Sequence, residues 1–229
     1  MPAMPAPKRS SPRRVASRRK TLALVITEHL RQEIVTAVRE PGSKISEPTI
    51  AAAHAVSRAP VREALRQLER EGLVVFDAVG RSRVVRLTAE DVEDICGIRA
   101  SLESTAAGHA ALRFTAATEQ TLRSNIAEME EATTLDEVSR LDLAFHAAIM
   151  EASGRRRLIA AWRAIEPQLR LWLGTLQRLR EAISADVLAA TLAGHRHLTE
   201  VLATGDAAAA RDALEVHIAS WVSESGGIA

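Results

Sequence analysis

Residues 57–86 read SRAPVREALRQLEREGLVVFDAVGRSRVVR and carry the strongest fold signal in the chain. Ser57 is typical of a helix N-cap, and Gly72 is typical of the residue that follows a helix. An apolar stripe at helical spacing lies between them and consists of Val61, Ala64, Leu65 and Leu68. Two β-rich runs then follow, at 74–76 and 84–85, separated by a glycine-containing loop. The stretch therefore predicts a helix followed by a β-hairpin.

Two more helices are predicted upstream of this stretch. From Thr21, apolar residues recur every four positions, at Leu22, Ile26, Leu30, Ile34 and Val38. Pro41 and Gly42 are expected to end this helix. A short helix over 47–54 follows, with Pro48 in its first turn, where a missing N–H costs nothing. Three helices and a hairpin predict a winged helix-turn-helix domain over residues 21–86.

No strand signal recurs after Arg86, where segments rich in Ala, Leu and Glu continue to the C-terminus. Breaks in the helical pattern fall near 114–118, 133–134, 153–154, 178–184 and 204–206. These breaks predict about six helices and an all-α bundle over residues 87–229. The predicted fold class is mainly α, with an N-terminal winged helix-turn-helix domain and a C-terminal helical bundle.

Composition supports this division into two domains. The 229 residues are 47% apolar, which excludes a wholly disordered protein, and the net charge is +1. Residues 1–86 hold 17 basic and 8 acidic residues, whereas residues 87–229 hold 13 and 21. The N-terminal part alone is suited to a polyanion. Residues 1–20 have seven basic residues, four prolines and no acid, which predicts a disordered basic arm that contacts phosphate or only aids solubility.

Other features exclude several classes of protein. Cys96 is the only cysteine, so no disulfide framework exists, and its apolar neighbours indicate a buried structural thiol. No uncharged apolar run approaches the ~18 residues of a membrane span. Aromatic residues are 3% of the chain, too few for stacking on single-stranded nucleic acid. We expect a cytoplasmic protein without membrane contact.

The third helix and the hairpin loop carry a candidate DNA-binding face. Arg58, Arg62 and Arg66 recur every four residues beside the apolar stripe, as in a helix that enters the major groove. Arg81 and Arg83 lie on the hairpin loop and suit a wing over phosphates or a minor groove. The alternative is a solvated helix face on which the arginines pair with Glu63, Glu69 and Glu71.

Three segments, 41–47, 56–65 and 68–74, resemble the N-terminal domain of GntR-family transcriptional regulators. The resemblance covers residues 21–86. It implies that Arg58 and Arg62 contact operator DNA and that Gly80 is the wing glycine. The predicted DNA-binding set is Ser57, Arg58, Arg62, Arg66, Gly80, Arg81 and Arg83. One departure is Pro48, where members often have an arginine that contacts DNA.

The helical part contains four candidate metal ligands. Asp142 and His146 are four residues apart and share one helix face. His195 and His217 flank the turn at 204–206, and each lies roughly 13–17 Å from it along an antiparallel helix. All four side chains could therefore meet at one level, although histidines in a bundle interior are often ordinary core residues. The other histidines lack such partners: His29, His54, His109 and His197.

The segments 98–103, 142–146 and 195–218 resemble the FCD-type ligand-binding domain of the FadR subfamily within the GntR family. The resemblance implies that Asp142, His146, His195 and His217 bind a divalent metal ion of the zinc, nickel or manganese class. The ion would keep open positions for a small organic acid. Arg99 matches a family arginine that binds the acid, and the alternative is an i, i+4 pair with Glu103. Two departures are Arg155, where the family often has asparagine, and Gly194, where it often has an acidic residue.

The sequence thus predicts a metabolite-responsive DNA-binding regulator, most simply a repressor. It would form a homodimer through its helical domain, bind a palindromic operator and respond to a small carboxylate metabolite. Binding of the acid would act through the link at 87–92 on the spacing of the winged helices. Two alternatives stay open. One is a metal-dependent enzyme, although the sequence marks no general base beside the ligands, and the other is a regulator with a purely structural metal site.

Overall fold

The N-terminal part of the chain folds as three helices and a small sheet. The structure is a computed structural model that describes residues 12–179 and 185–224. The elements in this part are α1 (Pro12–Val35), β1 (Lys44–Ile45), α2 (Glu47–Ala53), α3 (Arg58–Arg70), β2 (Val74–Phe76) and β3 (Ser82–Val84). The strands form an antiparallel sheet in the order β1-β3-β2. The three helices and the hairpin were expected, whereas the two residues of β1 are too few to show a periodic pattern.

The core of this part lies between α1 and α3. Ile26, Leu30 and Ile34 are buried on α1, and the predicted apolar stripe of α3 is buried against them. Leu73 and Val84 extend this core to the sheet. The exposed arginines of α3 therefore lie on the opposite side of a helix whose apolar side is fully covered.

Helix α1 ends earlier than predicted. Its last residue is Val35, and Ala37 turns the chain with a φ of 63°. Val38 is 73% exposed, so the prediction that it continues the apolar face is wrong. The four-residue spacing persists past the point where the left-handed Ala37 breaks the helix. At the other end, α1 begins at Pro12, inside the segment 1–20, and residues 1–11 lie outside the described part of the chain.

Six helices make up the rest of the described chain. They are α4 (Ala89–Ala111), α5 (Ala116–Glu130), α6 (Leu135–Ala152), α7 (Arg156–Leu179), α8 (Ala185–Ala203) and α9 (Ala207–Glu224). Capping boxes begin α4, between Thr88 and Asp91, and α6, between Thr134 and Glu137. Helix α4 packs along α9 and also contacts α6, α7 and α8. This arrangement confirms the predicted mainly α fold, with a winged helix-turn-helix domain and a helical bundle.

Helix α7 joins the two parts. Leu171 is buried in the core of the N-terminal part, while Trp162, Leu169 and Leu173 pack in the core of the bundle. Cys96 belongs to the same bundle core, and its burial raises the pKa of the thiol, as expected for a structural cysteine. No helix in the ranges 12–179 and 185–224 combines the length and apolarity that a membrane span requires.

Candidate functional site

Helix α3 exposes the three arginines predicted to face DNA. Arg58, Arg62 and Arg66 are all solvent-exposed. Ser57 occupies the N-cap position, but its hydroxyl makes no capping hydrogen bond. The N-terminal end of α3 therefore presents a hydroxyl and a row of guanidinium groups on one surface.

Two of these arginines have acidic or aromatic neighbours. Arg62 donates Nε to Glu47 Oε1 at 3.1 Å and Nη2 to Glu47 Oε2 at 2.9 Å. Arg66 donates Nη1 to Glu69 Oε2 at 2.8 Å, and its Cζ lies 4.2 Å from the centre of the Phe76 ring. The expected pairing with Glu69 is thus present, and the first turn of α2 holds Arg62 through Glu47.

The alternative of a solvated helix face expected Glu71 to pair with the arginines of α3. Glu71 does not pair with Arg58, Arg62 or Arg66. Its carboxylate accepts two hydrogen bonds of 2.8 Å from Arg31 on α1. Burial alone would raise the pKa of Glu71, but the hydrogen bonds from Arg31 and Gln67 outweigh it and lower the pKa. The pair fixes the end of α3 against α1.

Asp77, which the sequence did not single out, organises the hairpin loop. Its Oδ1 accepts from the backbone N–H of Val79 at 3.1 Å and of Arg81 at 2.9 Å. Its Oδ2 accepts from Arg81 Nε at 2.8 Å, and the hydrogen bonds from Arg81 lower the pKa of Asp77. Gly80 has a φ of 79°, which favours glycine at this turn. Arg81 is exposed on the loop.

Arg83 belongs to β3 and is half-buried, with Nη1 donating to the Gly42 carbonyl oxygen at 3.3 Å. It thus lies at the base of the hairpin rather than at its tip. Of the predicted wing residues, Gly80 and Arg81 form the tip, and Arg83 links the hairpin to the segment before β1.

The four candidate metal ligands meet in the interior of the bundle. Asp142 and His146 lie on α6, His195 on α8 and His217 on α9. One ligand atom from each lies within 4.8 Å of the others, and all four side chains are buried. Asp142 Oδ1 is 3.3 Å from His195 Nε2 and 3.7 Å from His146 Nε2. We name these four residues the Asp/His cluster.

The polar atoms of this cluster lack ordinary partners. Among the described residues, Asp142 Oδ2, His146 Nε2 and His217 Nε2 make no hydrogen bond. Burying such atoms without partners is costly, and a bound cation would satisfy them together. One carboxylate and three imidazoles are a donor set that suits zinc, nickel and manganese. The residues therefore fit a divalent transition metal.

The protonation states favour a cation as well. Burial, followed by the charges of His146 and His195, lowers the pKa of His217 to about 3. Burial likewise lowers the pKa of His195. Burial alone would raise the pKa of Asp142, but its contact with His195 and the charges of His146 and Arg99 hold it below its usual range. Neutral imidazoles and an ionised carboxylate are the forms that bind metal.

Glu103 on α4 supports the Asp/His cluster from behind. Its Oε2 lies 2.6 Å from His146 Nδ1, and its Oε1 accepts a 2.6 Å hydrogen bond from Trp162 Nε1. Burial would raise its pKa, but Arg99 and His146 lower it to about 2. With Nδ1 engaged by Glu103, His146 directs Nε2 toward the other three side chains.

The sequence marks no free carboxylate beside the ligands, and Glu103, which contacts one of them, is itself paired with Arg99, His146 and Trp162. From the sequence, Glu103 was predicted only as an i, i+4 partner of Arg99. The sequence does carry one indication that Glu103 is buried. Its spacing places it on the same face of α4 as the buried residues Ala106 and Ala110. A carboxylate on a buried helix face needs a partner in the interior.

Arg99 is buried at 2% exposure beside the cluster. Its Nε donates to Glu103 Oε1 at 2.9 Å, and its Nη2 lies 3.6 Å from Asp142 Oδ2. Arg99 thus makes the i, i+4 pair and also faces a cluster residue. The geometry therefore allows Arg99 both to pair with Glu103 and to face a ligand bound at the cluster.

Gly194 lies where α8 approaches the His217 ring. A Cβ at this position would lie 2.7 Å from His217 Nδ1, so the absence of a side chain lets the imidazole pack against α8. A cavity of about 170 Å³ next to this contact is lined by residues of α8 and α9, including Thr191, His197 and Ser220. The Gly194 departure therefore shapes the surroundings of a candidate ligand.

Three of the histidines outside the Asp/His cluster make other contacts. His29 Nδ1 on α1 lies 3.2 Å from His54 Nε2 at the end of α2. His109 Nδ1 on α4 lies 3.3 Å from Arg155 Nη2. Within the described ranges, Asp142, His146, His195 and His217 are the group of three or more side chains that could hold a metal.

Comparisons with known proteins identify both domains. Residues 22–84 match the family described as bacterial regulatory proteins, gntR family, and residues 94–220 match the FCD domain. An HTH-type transcriptional regulator in an unstable DNA locus of Streptomyces ambofaciens is 33% identical over 196 residues, which cover 82% of this chain and 78% of that protein. The gluconate operon transcriptional repressor of Bacillus subtilis is 29% identical over 187 residues, 80% of this chain and 76% of that protein.

A solved structure shows the same fold. The crystal structure of a GntR transcriptional regulator from Rhodococcus sp. RHA1 aligns with a TM-score of 0.73 over 91% of this chain and 99% of that chain, at 23% identity. The family and the relatives are transcriptional regulators and not enzymes, which answers the enzyme alternative. The chain therefore belongs to the GntR family of transcriptional regulators, with an N-terminal DNA-binding domain followed by an FCD domain.

Proposed function

We propose that this regulator is a FadR-subfamily repressor whose FCD domain binds a divalent metal and a small organic acid. The observation that carries the proposal is the Asp/His cluster, in which four buried ligand atoms lie within 4.8 Å of one another. The name of the Bacillus subtilis relative, a repressor of the gluconate operon, supports repression and a carboxylate effector.

Asp142, His146, His195 and His217 would hold the metal ion. A bound ion would supply a positive centre that accepts a carboxylate oxygen. Glu103 keeps His146 in the orientation that binding requires, and the Trp162 N–H fixes Glu103 in turn. Arg99 adds a fixed positive charge beside Asp142 and Glu103, so that with a divalent ion bound the interior would be net positive and would attract an anion, although the domain sequence is net acidic.

The winged helix-turn-helix domain would bind operator DNA through α3 and the hairpin. Arg58, Arg62 and Arg66 contact the major groove, with Ser57 on phosphate at the start of the helix. Gly80 and Arg81 contact phosphate or the minor groove, and Arg83 steadies the hairpin. A homodimer formed through the FCD domains would place two copies of α3 in successive major grooves of a palindromic operator.

Coupling between the two domains would use α7. This helix packs against α1, and its Trp162 contacts Glu103 beside the Asp/His cluster. An acid that binds one arrangement of the bundle more tightly shifts the population toward that arrangement. The orientation of α1 and α3 relative to the partner subunit then changes, and so does operator affinity.

The test measures operator binding by fluorescence anisotropy on DNA from upstream of the protein's own gene. Chelator-treated and metal-loaded protein are each titrated with a panel of small mono-, di- and hydroxycarboxylic acids. We expect one metal ion per chain and a change of at least tenfold in operator affinity with one acid, only in the metal-loaded protein. The variant H195A should lose both the metal and the response.

Other outcomes contradict specific parts of the proposal. A metal that stabilises the protein while every acid leaves operator affinity unchanged would indicate a purely structural site. Failure to bind zinc, nickel or manganese would refute the metal site. Sedimentation of the full chain at micromolar concentration as a monomer would refute the homodimer.

A further inference from the structure

Five arginines and a histidine converge at one end of the FCD domain, outside the Asp/His cluster. They come from the end of α4, the start of α7 and the first turns of α9, and we name them the arginine cluster: His109, Arg113, Arg155, Arg156, Arg157 and Arg211. Arg155 Nη2 lies 3.3 Å from His109 Nδ1. Arg113 lies against Gly154 and Arg211 against Gly108, so both are next to the His109–Arg155 contact.

Two glycines make room for this arrangement. A Cβ at Gly154 would lie 3.0 Å from the Cζ of Arg113, so the Arg113 guanidinium rests directly on the turn between α6 and α7. A Cβ at the buried Gly108 would lie 2.5 Å from Arg211 Nε, so Arg211 crosses α4 where that helix lacks a side chain. The guanidinium groups of Arg113 and Arg211 therefore pack against the backbone at these two glycines.

The arginine cluster lacks acidic partners within the described ranges, since no carboxylate lies within 4.0 Å of its guanidinium nitrogens. Elsewhere in the same domain, exposed Arg123 pairs with Glu119, and exposed Arg163 pairs with Glu151. Burial, followed by the charges of Arg155, Arg211 and Arg113, lowers the pKa of His109. This region is thus positive within a domain whose sequence is net acidic.

A cavity of about 750 Å³ lies against the arginine cluster, lined by His109, residues 154–158 and Ala160. This volume is in the range of small-molecule sites. Helix α4 starts beside the hairpin and runs about 33 Å to the arginine cluster, which places the cavity at the end of the bundle away from α3. Its size and position favour a small molecule over the DNA that α3 binds.

We propose that the arginine cluster is a second ligand site, which binds a small molecule carrying a di- or triphosphate group. Guanidinium groups donate two parallel hydrogen bonds to phosphate oxygens, so several arginines around one cavity suit such recognition. Several converging positive charges match a multiply charged anion better than a single carboxylate. The site is separate from the Asp/His cluster. Along α9, Arg211 of the arginine cluster and His217 of the Asp/His cluster are about 9 Å apart.

Isothermal titration of chelator-treated full-length protein with sodium pyrophosphate tests this site without a contribution from bound metal. We expect one pyrophosphate per chain. The double variant R113Q/R155Q should weaken the affinity at least tenfold, and the matched control R123Q should change it less than twofold. An ADP arm distinguishes the source: tighter binding than pyrophosphate assigns a nucleotide, and equal affinity assigns the phosphate groups alone.

The variants replace exposed side chains, and an unchanged melting temperature of R113Q/R155Q shows that the fold is retained. Absence of pyrophosphate binding at 10 mM would overturn the proposal, as would equal affinity of R113Q/R155Q and the unmodified protein. Loss of operator affinity in R113Q/R155Q without any phosphate binding would assign the arginine cluster to DNA instead. None of these results depends on whether the Asp/His cluster binds a metal.

Discussion

Gly174 on α7 lies directly against the carbonyl oxygen of Val35, the last residue of α1, and a Cβ on Gly174 would collide with that oxygen. One turn earlier on α7, Leu171 is buried in the core of the DNA-binding domain. The FCD and DNA-binding domains therefore meet backbone to backbone at this point. Helix α7 connects this contact to Trp162 and hence to Glu103.

Gly174→Ala should separate α1 from α7. Alanine favours the helix by about 1 kcal/mol over glycine, but overpacking a close contact costs about 1–3 kcal/mol. We expect a net loss of stability in urea denaturation and a weaker effector response in operator binding. Gly97→Ala is the control, because nothing lies within 4 Å of a Cβ at that exposed position of α4. Unchanged stability and an unchanged response would mean that this contact does not couple the domains.

Gly194→Ala should weaken metal binding. The added methyl group would lie 2.7 Å from His217 Nδ1 and displace the imidazole from the Asp/His cluster. We expect at least a tenfold loss of zinc affinity, measured by competition with a chromogenic chelator. Gly97→Ala should keep the affinity of the unmodified protein. Equal zinc affinity of the two variants would show that His217 is not a ligand or moves freely.

The stability of the metal-free protein should fall as the pH decreases from 6.5. The pKa of His217 is about 3 in the folded state and 6.5 ordinarily, so the unfolded state takes up the proton first and is favoured between these values. Glu103, with a pKa of about 2 instead of 4.5, contributes stability that is lost as the pH falls below 4.5. Each such group adds a slope of at most about 1.4 kcal/mol per pH unit.

Urea unfolding of chelator-treated protein between pH 8 and pH 5 measures this slope. His217→Asn should flatten it, since asparagine does not titrate, whereas Gly97→Ala, which removes no titrating group, should leave it unchanged. A free energy of unfolding that is constant from pH 6.5 to pH 5 would show that the pKa values of His195 and His217 are not lowered.

Arg62→Gln and Arg81→Gln should affect DNA binding in different ways. Arg62 lies on α3, so its loss should cost about 1–3 kcal/mol on the operator and relax the preference at one base pair. Arg81 lies at the hairpin tip, so its loss should weaken all sequences alike and lower the salt slope by about one. Anisotropy titrations at several salt concentrations with operator and scrambled DNA distinguish the two. Identical profiles for both variants would contradict these roles.

Local patterns in the sequence were sufficient for most of the fold. The stripe from Val61 to Leu68 predicted α3, and the breaks between helical segments predicted six helices in the FCD domain. Periodicity indicates which side of a helix is apolar, because that side is determined by the spacing of apolar residues within a short stretch of sequence. It does not report where a helix stops when one residue turns left-handed, as Ala37 does after α1.

The candidate metal ligands could also be predicted from spacing along the sequence. Asp142 and His146 share a face through their spacing, and the turn at 204–206 sets His195 and His217 at similar depth. Their convergence within 4.8 Å depends on how α6, α8 and α9 rotate and pack. Their role as metal ligands stays a prediction until it is measured.

The sequence by itself determined the two domains, the family and the residue types that these functions need. Only the tertiary structure decided which distant residues meet: Glu103 with His146, Gly174 with Val35, and Arg113 with Gly154. Local conformation depends on neighbouring residues, whereas these contacts depend on helix rotation and close packing over long separations in the chain. The same packing brings the arginines of α4, α7 and α9 together in a domain whose summed charge is negative.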